Sequence, residues 1–332
     1  MARRGRRRLP RRVPGLRTYR VPERGVRRPG ADPRRGGRRT PGRARAPRGA
    51  RRPAALRAAA RDGQDVALTR STTDGVSTVM SALRLGPGDE VLTSDEEHPG
   101  LLAPLEAARR RRGFHVRIAP FAELADAIGP RTRLVACSHV SWVGGRVVDA
   151  AALAASDAMV LLDGAQGLGA VPTNPHELGC DFYAASGQKW LCGPDGSGCL
   201  YVRRDLADEL DPPWPNYGSL AFDMGLSGPL FAWSLESVGL LAEAGLDWVH
   251  ERGAGLAARL ANALAERGLT VSPRGRSTLV SWSSSDPEGD MARLAADGIV
   301  VRYLPGRGLV RASVGAWSSE EDLDRLVAAA VR

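Results

Sequence analysis

The sequence predicts an α/β protein built on a mostly parallel sheet, with a smaller α+β region after it. Three observations lead there. From Asp65 onward short apolar runs alternate with stretches of helical periodicity, at the spacing that right-handed βαβ units require. Met159-Val160-Leu161-Leu162-Asp163 is an almost unbroken apolar run, the pattern of a central strand covered on both faces. Beyond about residue 230 the order changes to long helices first and isolated strands after.

Taken in order, Val66-Ala67-Leu68-Thr69 reads as a strand, and Thr72-Thr73-Asp74-Gly75-Val76 opens a helix that reaches Leu83. Glu90-Val91-Leu92-Thr93 is the next strand, 101–112 a helix, His115-Val116-Arg117-Ile118 a strand and 134–138 another. A helix over 148–155 leads into the 159–163 strand, and Asp181-Phe182-Tyr183-Ala184 follows as a further strand. The second half holds helices at 230–252 and 256–267, strands at 277–282 and 308–313, and a closing helix at 320–331. The expected organisation is a segment 1–62, a large domain 63–245 and a small domain 246–332.

The first segment differs from the rest. Residues 1–62 carry 23 arginines against three acidic residues (Glu23, Asp32, Asp62), a net +20; the remaining chain has 24 basic and 34 acidic residues, a net −10. The basicity of the chain therefore belongs to one segment, and no nucleic-acid surface is expected outside residues 1–62. Its Arg/Pro/Gly composition buries too little apolar surface to fold alone. Three readings are open: a disordered RNA- or DNA-binding arm, an extension of no consequence, or a mistranslated stretch of a GC-rich gene. The abrupt change of composition near Asp62 favours the last. No apolar run is long enough to span a membrane. Cys137, Cys180, Cys192 and Cys199 form no CxxC pair and no zinc spacing, so the expected compartment is a reducing cytoplasm.

Only one of the 47 basic side chains is a lysine, Lys189, in Ser186-Gly187-Gln188-Lys189-Trp190. Arginine supplies generic positive charge here, but it cannot lose its proton and attack a carbonyl carbon to form an imine. A lone lysine thus suggests a chemical role, with codon drift as the plain alternative. Asp163 ends the buried strand, placed either to cap the following segment or to pair with a buried cation. Ser71, Thr72 and Thr73 at a strand-to-helix turn offer hydroxyl and N–H groups to a phosphate, or simply cap the helix. His98, in Glu97-His98-Pro99-Gly100, follows a strand end and is free either to stack on a ring or to lie on the surface. An imine-forming lysine with a carboxylate aimed at a ring nitrogen is what pyridoxal phosphate requires.

At these residues the chain resembles a known family. Asp163-Gly164-Ala165-Gln166, then Ser186-Gly187-Gln188-Lys189-Trp190 with Gly193-Pro194-Asp195-Gly196-Ser197-Gly198, is similar to the class V aminotransferases of the fold-type I pyridoxal-phosphate enzymes. Cysteine desulfurases, cysteine/cystine C–S lyases and isopenicillin-N-epimerase-like proteins belong there. The run Leu309-Val310-Arg311-Ala312-Ser313-Val314 adds to the resemblance, which covers about residues 63–332.

The resemblance implies roles. Lys189 would form the internal aldimine and shuttle the Cα proton; Asp163 would pair with the pyridine nitrogen; Gln166 would bond the ring's phenolic oxygen; His98 would stack on the ring. Thr73, Ser186 and Gln188 would hold the phosphate, helped by Thr72 or Ser71, and Arg311 would grip the substrate α-carboxylate. The family also implies a homodimer, in which a residue of the stretch 222–230 of a second copy, with Ser227 as the candidate, would complete the phosphate site. Persulfide-forming desulfurases carry a cysteine on the loop before that arginine, and 301–308 holds none. A C–S β-lyase, which needs no such thiol, is therefore expected first, with an epimerase or a transaminase next. A cofactor-binding or nucleic-acid-associated protein without catalysis is the reading from another class.

Overall fold

The computed structural model describes residues 65–211 and 228–331. The segment 1–62, and Ser227, lie outside them.

The sequence leads to eight strands, and ten are observed among the described residues, on two sheets. Seven form one sheet: β1 (Val66–Thr69), β2 (Glu90–Ser94), β3 (His115–Ala119), β4 (Thr132–Ser138), β5 (Met159–Asp163), β6 (Phe182–Ser186) and β7 (Gly198–Val202), in the spatial order β1-β7-β6-β5-β4-β2-β3. All neighbours from β3 through β6 pair in parallel, while β7 runs antiparallel to both β6 and β1. Only β7 is therefore reversed. Ser94, Ser138, Asp163 and Ser186, the last residues of β2, β4, β5 and β6, come out along one edge of the sheet. Ligands of such sheets bind beyond that edge.

The central strands carry the apolar residues that two covering layers demand. Leu134 and Ala136 on β4, Leu161 on β5 and Phe182 and Ala184 on β6 pack on one face with Val76, Val79 and Met80 of helix α1 (Thr72–Ala82) and Leu101 and Leu105 of α2 (Pro99–Arg112). Val135, Val160, Leu162 and Tyr183 fill the opposite face. Ser71 caps α1 by accepting from the Asp74 N–H (3.1 Å). Gly75 lets α1 lie on β6, because a Cβ there would stand 2.9 Å from that of Ala184. Short helices α3 (Ala150–Ala154) and α4 (Pro175–Leu178) complete this half.

The rest of the chain holds α5 (Gly228–Ala244), α6 (Leu246–Glu266), α7 (Pro287–Ala296), α8 (Glu320–Ala330) and a three-stranded antiparallel sheet. Its strands are β8 (Leu279–Ser283), β9 (Arg302–Leu304) and β10 (Leu309–Ser313), in the order β8-β10-β9. Leu256, Leu260 and Leu264 on α6 face Val280, Trp282 and Val310 of that sheet and Leu323 and Leu326 of α8 in a second core.

Two sequence expectations need correction. The helix break expected after 252 falls at Gly245, whose φ of 88° no helix accommodates. Gly253 and Gly255 sit inside α6 instead. Gly253 is there for closeness, since a Cβ would lie 3.1 Å from Thr278 Cγ2. The strands β7 and β9 and the helix α7 were not anticipated, although Asp286-Pro287 is a strong helix start: Asp286 accepts from the Gly289 N–H (3.0 Å) and Pro287 occupies the first turn.

Candidate active site

A cavity of about 450 Å³ opens beyond the strand ends, lined by His98, Trp142, Gln166, Lys189, Trp190, Arg302, Arg311, Ser313 and Trp317. It draws residues from the large sheet's loops and from β9 and β10. A second cavity of about 110 Å³ lies behind the lysine loop among Val66, Leu168, Tyr183 and Leu191. That one is apolar and holds no opposed charges, so the chemistry belongs to the first.

Lys189 follows β6 on a loop held tightly from below. The Gly187 N–H donates to the Ser197 carbonyl (2.8 Å) and the Gly193 N–H to the Gly187 carbonyl (2.9 Å). A Cβ on Gly187 would overlap Ser197 Oγ, so a larger residue there would displace Ser197. The Lys189 carbonyl accepts from the Cys192 N–H (3.1 Å), while its side-chain amine has no hydrogen-bond or ion-pair partner among the described residues. Burial pulls its pKa below the ordinary lysine value, with the charges of Arg311 and Arg302 acting the same way and Asp163 opposing them. A half-buried amine so placed moves toward its nucleophilic neutral form.

Asp163 is 4% exposed at the end of β5. Its Oδ1 accepts from the Ala165 N–H (2.9 Å). Burial raises its pKa, while that hydrogen bond and the Lys189 charge lower it. Gln166 follows within the same turn and its Oε1 accepts from Trp190 Nε1 (2.9 Å), which leaves the amide NH₂ to donate toward the cavity.

His98 caps α2, with Nδ1 accepting from the Gly100 N–H (3.0 Å). That bond leaves Nε2 as the outward nitrogen. Burial, then the charges of Lys189, Arg302 and Arg311, hold its pKa near about 4, so the ring is neutral at physiological pH. It meets Trp142 edge to face at 5.2 Å. Beneath it, Glu97 is buried at 3% exposure. Its carboxyl accepts from Ser94 Oγ (2.5 Å), Ser138 Oγ (2.6 Å) and the Ser138 N–H (3.0 Å), tying the ends of β2 and β4.

Thr72 and Ser186 meet at the N-terminus of α1. Ser186 Oγ lies 2.6 Å from Thr72 Oγ1 and accepts from the Thr72 N–H at 3.0 Å. Thr73 is exposed beside Gly100, where a Cβ on the glycine would come within 2.7 Å of Thr73 Oγ1. Gln188 is exposed next to Lys189. Arg311 is 7% exposed on β10, its Nη1 donating to the Trp142 carbonyl (2.6 Å) and its Nε buried without an acceptor. Burial, then Arg302, lower its pKa to about 10, so it stays charged at neutral pH.

Thus Lys189, Gln166, His98 and Arg311 share one cavity, and Asp163 lies close enough to bias the charge of Lys189. Thr72 and Ser186 meet at a helix N-terminus beside the strand ends. Sequence reasoning missed Trp142, Trp317, Arg302 and Glu97. Tryptophan frequency was an available signal: the chain has seven, and three line this cavity.

A mostly parallel sheet with a lysine, a buried carboxylate and an arginine gathered at its strand ends defines a lysine-based α/β enzyme class. The model of the aminotransferase class-V family matches residues 43–231, more than half of the chain, and the chain belongs to that family. It is 34% identical over 187 residues to the probable cysteine desulfurase 1 of Mycobacterium leprae, covering 52% of this chain and 30% of that protein. It is 36% identical over 183 residues to the cysteine desulfurase of Salmonella gallinarum, covering 51% of this chain and 45% of that one. The chain spans less than half the length of either relative. Among solved structures it resembles the cystine C–S lyase C-DES bound to its reaction product cysteine persulfide (TM-score 0.76, 27% identity, 84% of each chain). It also resembles a C-DES mutant with glycine covalently linked to the PLP cofactor (TM-score 0.76, 26% identity, 84% of this chain and 83% of that one). The cysteine desulfurase CsdA of Escherichia coli is a further likeness (TM-score 0.74, 26% identity, 82% and 80%).

Proposed function

We propose that this chain is a pyridoxal-phosphate enzyme that holds its cofactor covalently through Lys189 and cleaves the C–S bond of an amino acid of the cysteine or cystine type. The observation that carries the reading is the pairing of a lone, partly desolvated lysine with the buried carboxylate Asp163, in a cavity that also presents Arg311.

The side chains present fit that cofactor. The Lys189 amine has no hydrogen-bond or ion-pair partner among the described residues, the buried Nε of Arg311 lacks an acceptor, and Gln166 has a donor to spare. The Thr72 and Ser186 hydroxyls, with Thr73 and Gln188 alongside, suit a phosphate at the helix N-terminus. Asp163 would face the ring nitrogen and His98 the ring. When bound, the cofactor supplies an electron sink for the pair left at the substrate's Cα.

The protein's own groups do the rest. Arg311 fixes the α-carboxylate through its Nε edge and so orients the Cα–H bond. Lys189 Nζ takes the Cα proton, and its lowered pKa favours the neutral amine that can accept it. The neutral His98 offers a flat wall without adding a charge. None of the four cysteines lines the cavity, which supports release of the sulfur with its substrate fragment rather than its capture on a protein thiol.

Residues 63–245 and 246–332 serve in this reading as a large and a small domain with the cavity between them. A second copy of the chain is proposed as the partner, supported by the exposed Phe231, Trp233 and Leu240 of α5 and Trp248 of α6. No helix among the described residues is long and apolar enough to cross a membrane. Four free thiols suit a cytoplasmic setting.

The test is the absorbance of the purified, PLP-loaded chain before and after L-cysteine or L-cystine. A shifting cofactor band with sulfide or pyruvate released is expected. A keto acid formed without sulfide would make it a transaminase, inversion at Cα an epimerase, and no band at all would end the catalytic reading.

A further inference from the structure

Arg311 of β10 stands directly opposite Ser281 of β8, so the two side chains share a face of the small sheet. Both reach the turn that follows β4. Arg311 Nη1 donates to the Trp142 carbonyl (2.6 Å), and Ser281 Oγ donates to the carbonyl of the next residue, Val143. Two adjacent carbonyls of one turn are thereby matched to two opposed residues of one strand pair. Ser281 is fully buried, so water offers the Val143 carbonyl no substitute for that donor.

Ser141 holds the same turn from the other side and is also fully buried. A hydroxyl has one proton to give and two lone pairs, and this one uses all three. It accepts from the Val143 N–H (3.1 Å) and the Gly144 N–H (3.3 Å), and it donates to the Glu96 carboxylate. Glu96 precedes Glu97, whose carboxyl ties the ends of β2 and β4, so the turn is referenced to the large sheet. The Trp142 carbonyl sits between these two anchors. A carbonyl held on both sides keeps one bearing, and the guanidinium that donates to it does the same. With Nη1 spent, the edge carrying the acceptor-free Nε is left for an incoming carboxylate.

We propose that Ser281 and Ser141 are positioning residues for Arg311: by fixing the turn of Trp142 and Val143 from either side, they aim its free edge at the substrate α-carboxylate. Neither serine lines the cavity, so both act through Arg311 and not by touching the substrate. A purely adhesive role for the two hydroxyls would lower stability and leave carboxylate recognition as it is. The inference rests on the amino-acid lyase reading above, and its test separates the two.

Calorimetric titration of the PLP-loaded full chain with 3-(methylthio)propionate and with its carboxamide measures carboxylate recognition without turnover. The expected preference for the carboxylate is about 30-fold, the size of one charge-assisted contact. Ser281→Ala and Ser141→Ala each lower that preference about fivefold, the loss expected of one misaligned hydrogen bond. In an Arg311→Gln background the preference is already gone and neither serine change does anything further. With L-cystine as substrate, KM rises in both variants while kcat holds within about twofold. Either variant suffices for the test if the other does not fold. A variant that folds and keeps the parent preference overturns the proposal, as does a fivefold loss that persists without Arg311. If L-cystine is not turned over while Ser281→Ala still lowers the preference, the lyase reading fails and the positioning role stands.

Discussion

Thr72 Oγ1 and Ser186 Oγ lie 2.6 Å apart although 114 positions separate them in the sequence. The bond joins the first turn of α1 to the end of β6, three residues before Lys189. The segment suited to a phosphate and the segment carrying the amine are thereby one mechanical unit. Thr72→Val keeps the shape and deletes the hydroxyl. It is expected to cost about 1 kcal/mol in denaturant unfolding of the cofactor-free chain and to weaken pyridoxal phosphate about tenfold in a spectrophotometric titration. Unaltered cofactor affinity would remove Thr72 from the site.

Asp163 is expected to act through its charge. Asp163→Asn retains an oxygen for the Ala165 N–H, so the turn after β5 survives. The anion that favours a protonated ring nitrogen does not. A fall in kcat of about 100- to 1,000-fold with little loss of folded protein is expected. A variant with near-normal kcat would show that the carboxylate serves only as a cap.

Glu97 supplies a pH signature. Burial raises its pKa from the ordinary 4.5 to about 7, outweighing the three hydrogen bonds it accepts. Between those two pH values the unfolded chain has released this proton and the folded chain still holds it. Stability attributable to the group is therefore present below pH 4.5 and is lost as pH rises through about 7. Glu97→Gln cannot ionise, so its stability relative to the parent chain should climb by roughly 3 kcal/mol over that range. Urea unfolding at a series of pH values checks it; a gap that stays flat would mean that Glu97 ionises as freely as a surface carboxylate.

Much of this site was legible in the sequence because its chemistry sits in contiguous runs. Asp163 and Gln166 share one turn, and Ser186, Gln188 and Lys189 share one loop, so spacing along the chain reported proximity in space. The apolar run of β5 announced a central strand for a similarly local reason. Arg302 was not legible in the same way, since its effect on the charge of Arg311 depends on lying opposite it, a matter of register across a turn. The symmetric distances of the two residues from 305–308 were the available clue. Trp142 escaped because its contribution includes a backbone carbonyl, which has no residue type. The misplaced helix break had another cause: glycine both ends helices and lets them pack closely, and only the structure distinguishes Gly245 from Gly253.

The central claim is that Lys189 holds pyridoxal phosphate covalently, and a chain with one lysine permits an unusually clean test. The PLP-loaded chain is reduced with borohydride, digested and mapped by mass spectrometry. A phosphopyridoxyl group on Lys189 is the predicted result. Its absence there, or its recovery solely on the terminal amine, would contradict the account.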